Sequence, residues 1–194
     1  MDLVQRVQGI LLKPKEEWVK IKAEPTTVFN LYTSYVMILA AIPAIAQLIG
    51  RLLFRQEIPF SRAPVWTTGR AFSYAVLSYV ISLATVYIFA LIIDALAPNF
   101  SSVRSLPNAL KLSVYSMTPG WVAGVLNIFP YLGILPALAS LYGLYLLYLG
   151  FETPMMETPR DKVLGYLVVC IVAVLVLFLV FGLILRGIAA FRLT

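Results

Sequence analysis

Apolar residues along this chain come in long unbroken runs rather than in the alternation of strands or the narrow stripes of water-soluble helices. Five runs approach or exceed the roughly 20 residues a helix needs to cross a hydrocarbon core. They are Leu31 to Leu53, broken only by Gln47 and Arg51 near its end; Ala71 to Ile93; Ala109 to Phe129, with Lys111 near its start; Tyr131 to Leu149; and Val163 to Leu185. A spanning segment must satisfy its own backbone polar groups, so continuous runs of this kind are helices. The pattern predicts an all-α, polytopic membrane helix bundle. Five transmembrane helices, about 31–53, 71–93, 109–129, 131–149 and 163–185, follow an amphipathic N-terminal segment over 1–29.

The third and fourth runs are separated by little more than Pro130, which reads as a tight helical hairpin. Pro119-Gly120 falls inside the third run and predicts a kink or break, because proline removes a hydrogen-bond donor and crowds the preceding turn. A re-entrant pair that does not fully cross is the other reading of these two runs. The connections Phe54 to Arg70, Asp94 to Asn108 and Gly150 to Lys162 are too short for a separate soluble domain.

The N-terminal segment has its own pattern. Leu3, Val4, Val7, Ile10 and Leu11 share one helical face, with Arg6 and Gln8 off it. Lys13-Pro14-Lys15-Glu16-Glu17-Trp18 then reads as a new helix start, with proline in the first position and carboxylates in the first turn. Trp18 and Ile21 point together, to the membrane interface or to the bundle. The segment reads either as a membrane-surface helix, with Trp18 at headgroup depth, or as a short helix packed under the bundle.

Composition sharpens this picture. Of 194 residues, 61% are apolar and 12% charged, against roughly half and a quarter in soluble proteins. The charge of +6 lies between the apolar runs, so it reads as topology and attraction to anionic headgroups rather than as nucleic-acid binding. Counting Lys and Arg places nine on the face of the N-terminus and six on the other, which predicts a cytoplasmic N-terminus. The mixed-charge start is not expected to be a cleaved signal peptide. Multi-pass insertion in a prokaryotic cell membrane is the expected location. Membrane lipids, further copies of the chain or other membrane proteins are the expected partners.

Several polar residues stand out against the apolar background. Asp94 ends run two, before Ala95-Leu96-Ala97-Pro98, and Lys111 opens run three on the same face. Ionisable groups at a membrane edge are costly and carry interest for that reason. An Asp94–Lys111 pair pinning two helices is expected, with Arg160, Asp161 and Lys162 as further partners on that surface. Ser113, Tyr115, Ser116, Thr118, Pro119 and Trp121 give run three a polar, kinked character. They suit either a cavity lining or interhelical hydrogen bonds. Tyr142, Tyr145 and Tyr148 step by three along run four. Ala40/Ala44, Ala46/Gly50 and Ala139/Gly143 are small-residue pairs that favour close helix approach.

Much chemistry is missing from the sequence. It has no histidine, a single cysteine (Cys170) inside an apolar run, no phosphate-binding glycine loop and no metal-ligand spacing. Lys111 and Ser113, two positions apart, point to different helix faces and do not form a serine–lysine site. No catalytic residue, cofactor or metal is expected.

Five strings occur in order on these runs: PKEEWVKI (Pro14 to Ile21), DALAPNF (Asp94 to Phe100), ALKLSVYSMTPGW (Ala109 to Trp121), LYGLYLLYLG (Leu141 to Gly150) and PRDKVLGY (Pro159 to Tyr166). In these the chain resembles the prokaryotic branch of the Yip (Ypt/Rab-interacting protein) family of five-span membrane proteins. The resemblance implies an all-helical bundle and a cytoplasmic N-terminus. Eukaryotic relatives are associated with Rab-type GTPases, vesicle traffic and membrane shaping. Of their Asp-Leu-Tyr-Gly-Pro string this chain keeps only Asp94 and Pro98, so Rab binding does not transfer.

Two functions of different class follow. One is a non-enzymatic membrane-organising or adaptor protein acting through its cytoplasmic face. The other is a small transporter or lipid-moving protein using the polar third helix. A solid bundle core favours the first. A polar cavity or lipid-wide groove reaching Ser116 and Thr118 favours the second.

Overall fold

A computed structural model describes residues 2–54, 67–152 and 155–191, with the side chains of 130 and 185–191 excepted. Most of the Phe54 to Arg70 connection, with Arg55 and Arg62 of the charge count, lies outside the described residues, as do Arg192 and the Arg186 side chain. Among the described residues the secondary structure is helical throughout, with no strand.

Helices α1 (Leu3–Leu12) and α2 (Pro14–Ala23) form a floor under the bundle. Pro14 takes the first position of α2, Glu16 and Glu17 its first turn, and Lys20 and Lys22 its last, matching the charges to the helix dipole. The chain then enters α3 (Val28–Leu31), a π-helical turn over Tyr32–Val36, and α4 (Met37–Leu53). Together these make one apolar stretch, Val28–Leu53. Helix α5 (Thr68–Leu96) returns antiparallel to it. The Tyr32 hydroxyl donates to the Leu83 carbonyl and that of Tyr79 to the Met37 carbonyl, both at 3.0 Å.

The third run is broken, as Pro119-Gly120 predicts. It is α6 (Leu106–Ser116), α7 (Thr118–Ala123) and a 3-10 turn over Gly124–Ile128. Pro119, in the first turn of α7, has no N–H to continue the ladder, and the break falls at Met117. Among the described residues four stretches, rather than five, are therefore each long and apolar enough to cross a membrane: Val28–Leu53, Thr68–Phe100, Ile134–Glu152 and Arg160–Ile184.

The broken segment nonetheless runs beside the first span for most of its length. Tyr35 bonds Thr118 through their hydroxyls at 2.9 Å, Gly124 lies on Pro43, and Gly50 lies on the Ile128 carbonyl. Helix α8 (Ile134–Glu152) descends antiparallel to α6 and α7. Gly143 allows this approach, since a Cβ there would come within 2.4 Å of the Ser116 carbonyl oxygen. The small-residue pairs Ala46/Gly50 and Ala139/Gly143 thus serve packing within the chain.

Helix α9 (Arg160–Phe191) packs on α5 and α8. Only its first part is held. Tyr166 is fully buried, stacked between Phe100 and Phe151 with centroids 4.6 and 4.2 Å away, and it donates to the Ile93 carbonyl. After Cys170 no described side chain of α9 is buried.

Candidate functional site

Two features stand out, one in the floor and one between the spans. The floor is a buried ionic cluster. Helix α1 turns Arg6 upward and inward, leaving it 4% exposed. Its guanidinium donates to Glu17 Oε1 at 2.6 Å, to the Glu24 carboxylate, and lies 5.8 Å from the Tyr115 ring centroid. Glu17 is 1% exposed and also accepts from Lys20 Nζ at 3.1 Å. Gly9 leaves the space this requires, because a Cβ there would meet the Glu17 carboxylate at 2.5 Å. Desolvating such a pair is expensive, and breaking it costs more than never having built it.

Lys111, 5% exposed, enters the same cluster from α6. Its ammonium donates to the Ile21 carbonyl at 2.7 Å and the Glu24 carbonyl at 2.6 Å. These carbonyls lie at the end of α2, where a cation complements the dipole and the orphan acceptors.

The second feature is a groove of about 570 Å³ within the membrane-spanning part, inside the size range of ligand pockets, about 300–1,000 Å³. Its inner wall carries Gln47 from α4; Ser78, Ser82 and Thr85 on one face of α5; and Ser116, Gly120 and Trp121 from the broken segment. Ser140 adds a hydroxyl from α8, and the outer wall is the apolar face of α9, including Val174 and Phe178. Ser78, Thr85 and Ser140 donate back to carbonyls one turn earlier on their own helices, which leaves acceptor lone pairs on their oxygens. The Ser116 hydroxyl is buried, lines the groove and has no hydrogen-bond partner among the described residues. The groove reaches Ser116 but not Thr118, whose hydroxyl is taken up by Tyr35.

The structure distributes the residues singled out in the sequence over both features. Trp18 is wholly buried, edge-on to Tyr115 at 6.1 Å and against Gly150. Helix α2 thus packs under the bundle, and the indole is part of the core. Lys111 and Tyr115 belong to the floor cluster. Pro119 makes the break, and Trp121 lines the groove. The Tyr142 hydroxyl holds the Leu11 carbonyl at 2.8 Å, tying α8 to the floor.

The Asp94–Lys111 pair does not form. Asp94 accepts from Arg104 Nε at 3.0 Å instead, ten residues on and reached through the short turn Ala97–Phe100 that contains Pro98. Lys111 is occupied by α2, which sequence spacing alone does not place there. Asp161 is exposed in the first turn of α9, and Lys162 Nζ donates to Ser101 Oγ at 2.6 Å. Arg6 and Glu17 went unnoticed as a site. Arg6 sat off the apolar face of α1, and Glu17 read as an ordinary first-turn carboxylate. Among the described residues no group of acidic, Cys or His side chains has the arrangement of a metal site.

A broken, hydroxyl-bearing segment packed in a multi-pass helical bundle defines the class: a helical integral membrane protein. A family model described as the Yip1 domain matches residues 9–182. The chain is 30% identical over 157 residues to "Inner membrane protein YohC" of Escherichia coli K12, covering 77% of this chain and 78% of that one. The same-named protein of Escherichia coli O6:H1 matches equally. The chain therefore belongs to the Yip family, in its prokaryotic branch. No solved structure matches it.

Proposed function

We propose that this protein is a non-enzymatic, five-span lipid-handling protein with its N-terminus in the cytoplasm. The observation that carries the reading is the groove. It is bounded by membrane-spanning helices, so the molecules beside it are lipids. Its apolar wall suits an acyl chain, and its hydroxyl wall suits the ester or headgroup oxygens of the same molecule. A helix broken within a spanning bundle is tolerated only where protein or a cavity covers the freed backbone groups, and here both do.

The fifth crossing is the broken segment. Its contacts with the first span, from Tyr35 through Pro43 to Gly50, support its reaching a comparable depth. The excess of Lys and Arg on the floor side supports the orientation. The test is native mass spectrometry of protein extracted in a mild detergent. A retained phospholipid, lost when Ser82→Phe fills the groove in a still-folded protein, is the expected result. Equal lipid retention by the variant contradicts it.

A second reading, the membrane-organising adaptor, draws on the outward faces of α1 and α2. Val4, Leu12 and Val19 are 57, 77 and 55% exposed there, among the lysines of the floor. Crosslinking in native membranes from position 12, followed by identification of what is captured, tests it. A reproducible protein partner supports the adaptor, and lipid adducts alone count against it.

A further inference from the structure

Beside the floor cluster lies a second, smaller cavity of about 180 Å³, separate from the groove. Its inner wall holds Arg6, Lys111, Tyr35 and Tyr115, and its rim is formed by Glu24, Thr26 and Ser34. Arg6, Lys111, Tyr35 and Tyr115 are each more than nine-tenths buried, whereas the Glu24 side chain is 49% exposed. Ser34 is exposed and sits a few residues into the first span. The exposed Ser34 thus puts the rim of the cavity near the floor-side end of the first apolar stretch, Val28–Leu53.

The two buried cations are not served alike. Arg6 holds both carboxylates, Glu17 and Glu24, and Glu17 also accepts from the half-exposed Lys20, which lies outside the cavity. Among the described residues no carboxylate is within ion-pair distance of Lys111; both of its hydrogen bonds go to neutral carbonyls. An ammonium has three donors, so one is left after these two. A buried cation with only neutral partners favours an anion beside it. Glu24 already places one there: its half-exposed carboxylate reaches from the rim to Arg6.

We infer that this cavity is a binding site for the phosphate of an anionic lipid headgroup, with Arg6 and Lys111 as its cationic partners and the Glu24 carboxylate as a resident competitor. The phosphate enters past Ser34, takes the remaining Lys111 donor, and displaces Glu24 from Arg6. Charge-assisted hydrogen bonds of this kind are the strong ones. Anionic lipid is available in the leaflet whose basic-residue bias the chain displays. The site stands independently of the groove, since no groove residue contributes to it.

The test uses the full chain in nanodiscs of phosphatidylcholine, titrated with phosphatidylglycerol and read as a rise in unfolding temperature, which reports binding to the folded state. Phosphatidylglycerol is expected to stabilise the wild type. Glu24→Gln, which removes the competitor without touching the core, is expected to bind roughly tenfold more tightly, the size of one charge-assisted bond. Lys111→Gln is expected to lose the effect. Should that variant fail to fold, the gain from Glu24→Gln decides alone. Equal response of Glu24→Gln and wild type overturns the proposal. Inorganic phosphate giving the same stabilisation without anionic lipid overturns the lipid assignment. The groove variant Ser82→Phe is expected to keep this response, so failure of one site is distinguishable from failure of the other.

Discussion

Helices α6 and α9 show opposite relations between hydropathy and burial. Helix α6 carries Lys111, Ser113, Tyr115 and Ser116, yet every residue from Ala109 to Ser116 is buried. Helix α9 is almost purely aliphatic, yet after Cys170 none of its described side chains is. In water the apolar helix would be the core. In a bilayer, lipid is as good a partner for leucine as another leucine, and the protein interior is where polar groups find each other. The polar helix is the centre of this fold and the apolar one its wall. That wall is fixed at one end by Tyr166 and lies over a hydroxyl-lined groove for the rest.

The comparison breaks most readily in the floor that supports α6. Glu17→Ala removes the buried partner of Arg6 and leaves it only the half-exposed Glu24; it is expected to cost about 3 kcal/mol, read as lost thermal stability in detergent. A loss below 1 kcal/mol would mean that water reaches the cluster freely. Next in size is Gly143→Val, which drives a side chain into the Ser116 carbonyl. Overpacking of this kind costs about 1–3 kcal/mol, and unfolding in a denaturing detergent measures it. Tyr166→Phe keeps the stack on Phe100 and Phe151 but removes the hydrogen bond to Ile93. It is expected to cost about 1 kcal/mol and to raise labelling of a cysteine placed at Val174, because the held end of α9 loosens. At the small end, Leu179→Ala on the lipid face of α9 is expected to change stability by less than about 0.5 kcal/mol. A large loss there would mean that α9 is covered by something other than lipid.

Asp94 and Lys111 give a sharper form of the same comparison. Each has its own partners, Arg104 for Asp94 and the end of α2 for Lys111. Asp94→Asn and Lys111→Met are therefore expected to add within about 0.3–0.5 kcal/mol in a double-mutant cycle. Asp94→Asn alone is expected to cost under about 1 kcal/mol, since the Arg104 side chain is 68% exposed and exposed ion pairs are weak. Coupling beyond that range would restore the pair that the sequence suggested.

Hydropathy made the bundle legible because spanning length and backbone satisfaction leave few alternatives. Pro119 announced the break in α6–α7 for an equally local reason, its missing donor. Pro14 with Glu16 and Glu17 announced α2. The floor cluster was not legible. Arg6 and Glu17 are eleven residues apart, on two helices whose crossing angle no periodicity encodes, and Lys111 meets α2 from ninety residues away. For Trp18 the sequence leaves the membrane interface and the bundle both open, since tryptophan is common at interfaces. Its burial depends on Gly150 leaving space in α8, a long-range fact. The groove was half legible: the hydroxyls of run three suggested a cavity, whereas Ser78, Ser82 and Thr85 sat unremarked in the second run. Their spacing puts them on one helix face, which was the available signal.

The central claim is that lipid occupies the space between the hydroxyl wall and α9. Photocrosslinking in native-like membranes with a phospholipid carrying a diazirine on its acyl chain tests it most directly, with adducts mapped residue by residue. Bulk lipid will label the outward positions Val172 and Leu179 in any case. The account predicts additional adducts on the groove walls, at Ser82, Leu144 and Val174, that disappear in Ser82→Phe while the outward ones persist. Adducts confined to the outward positions, unchanged by Ser82→Phe, would contradict it.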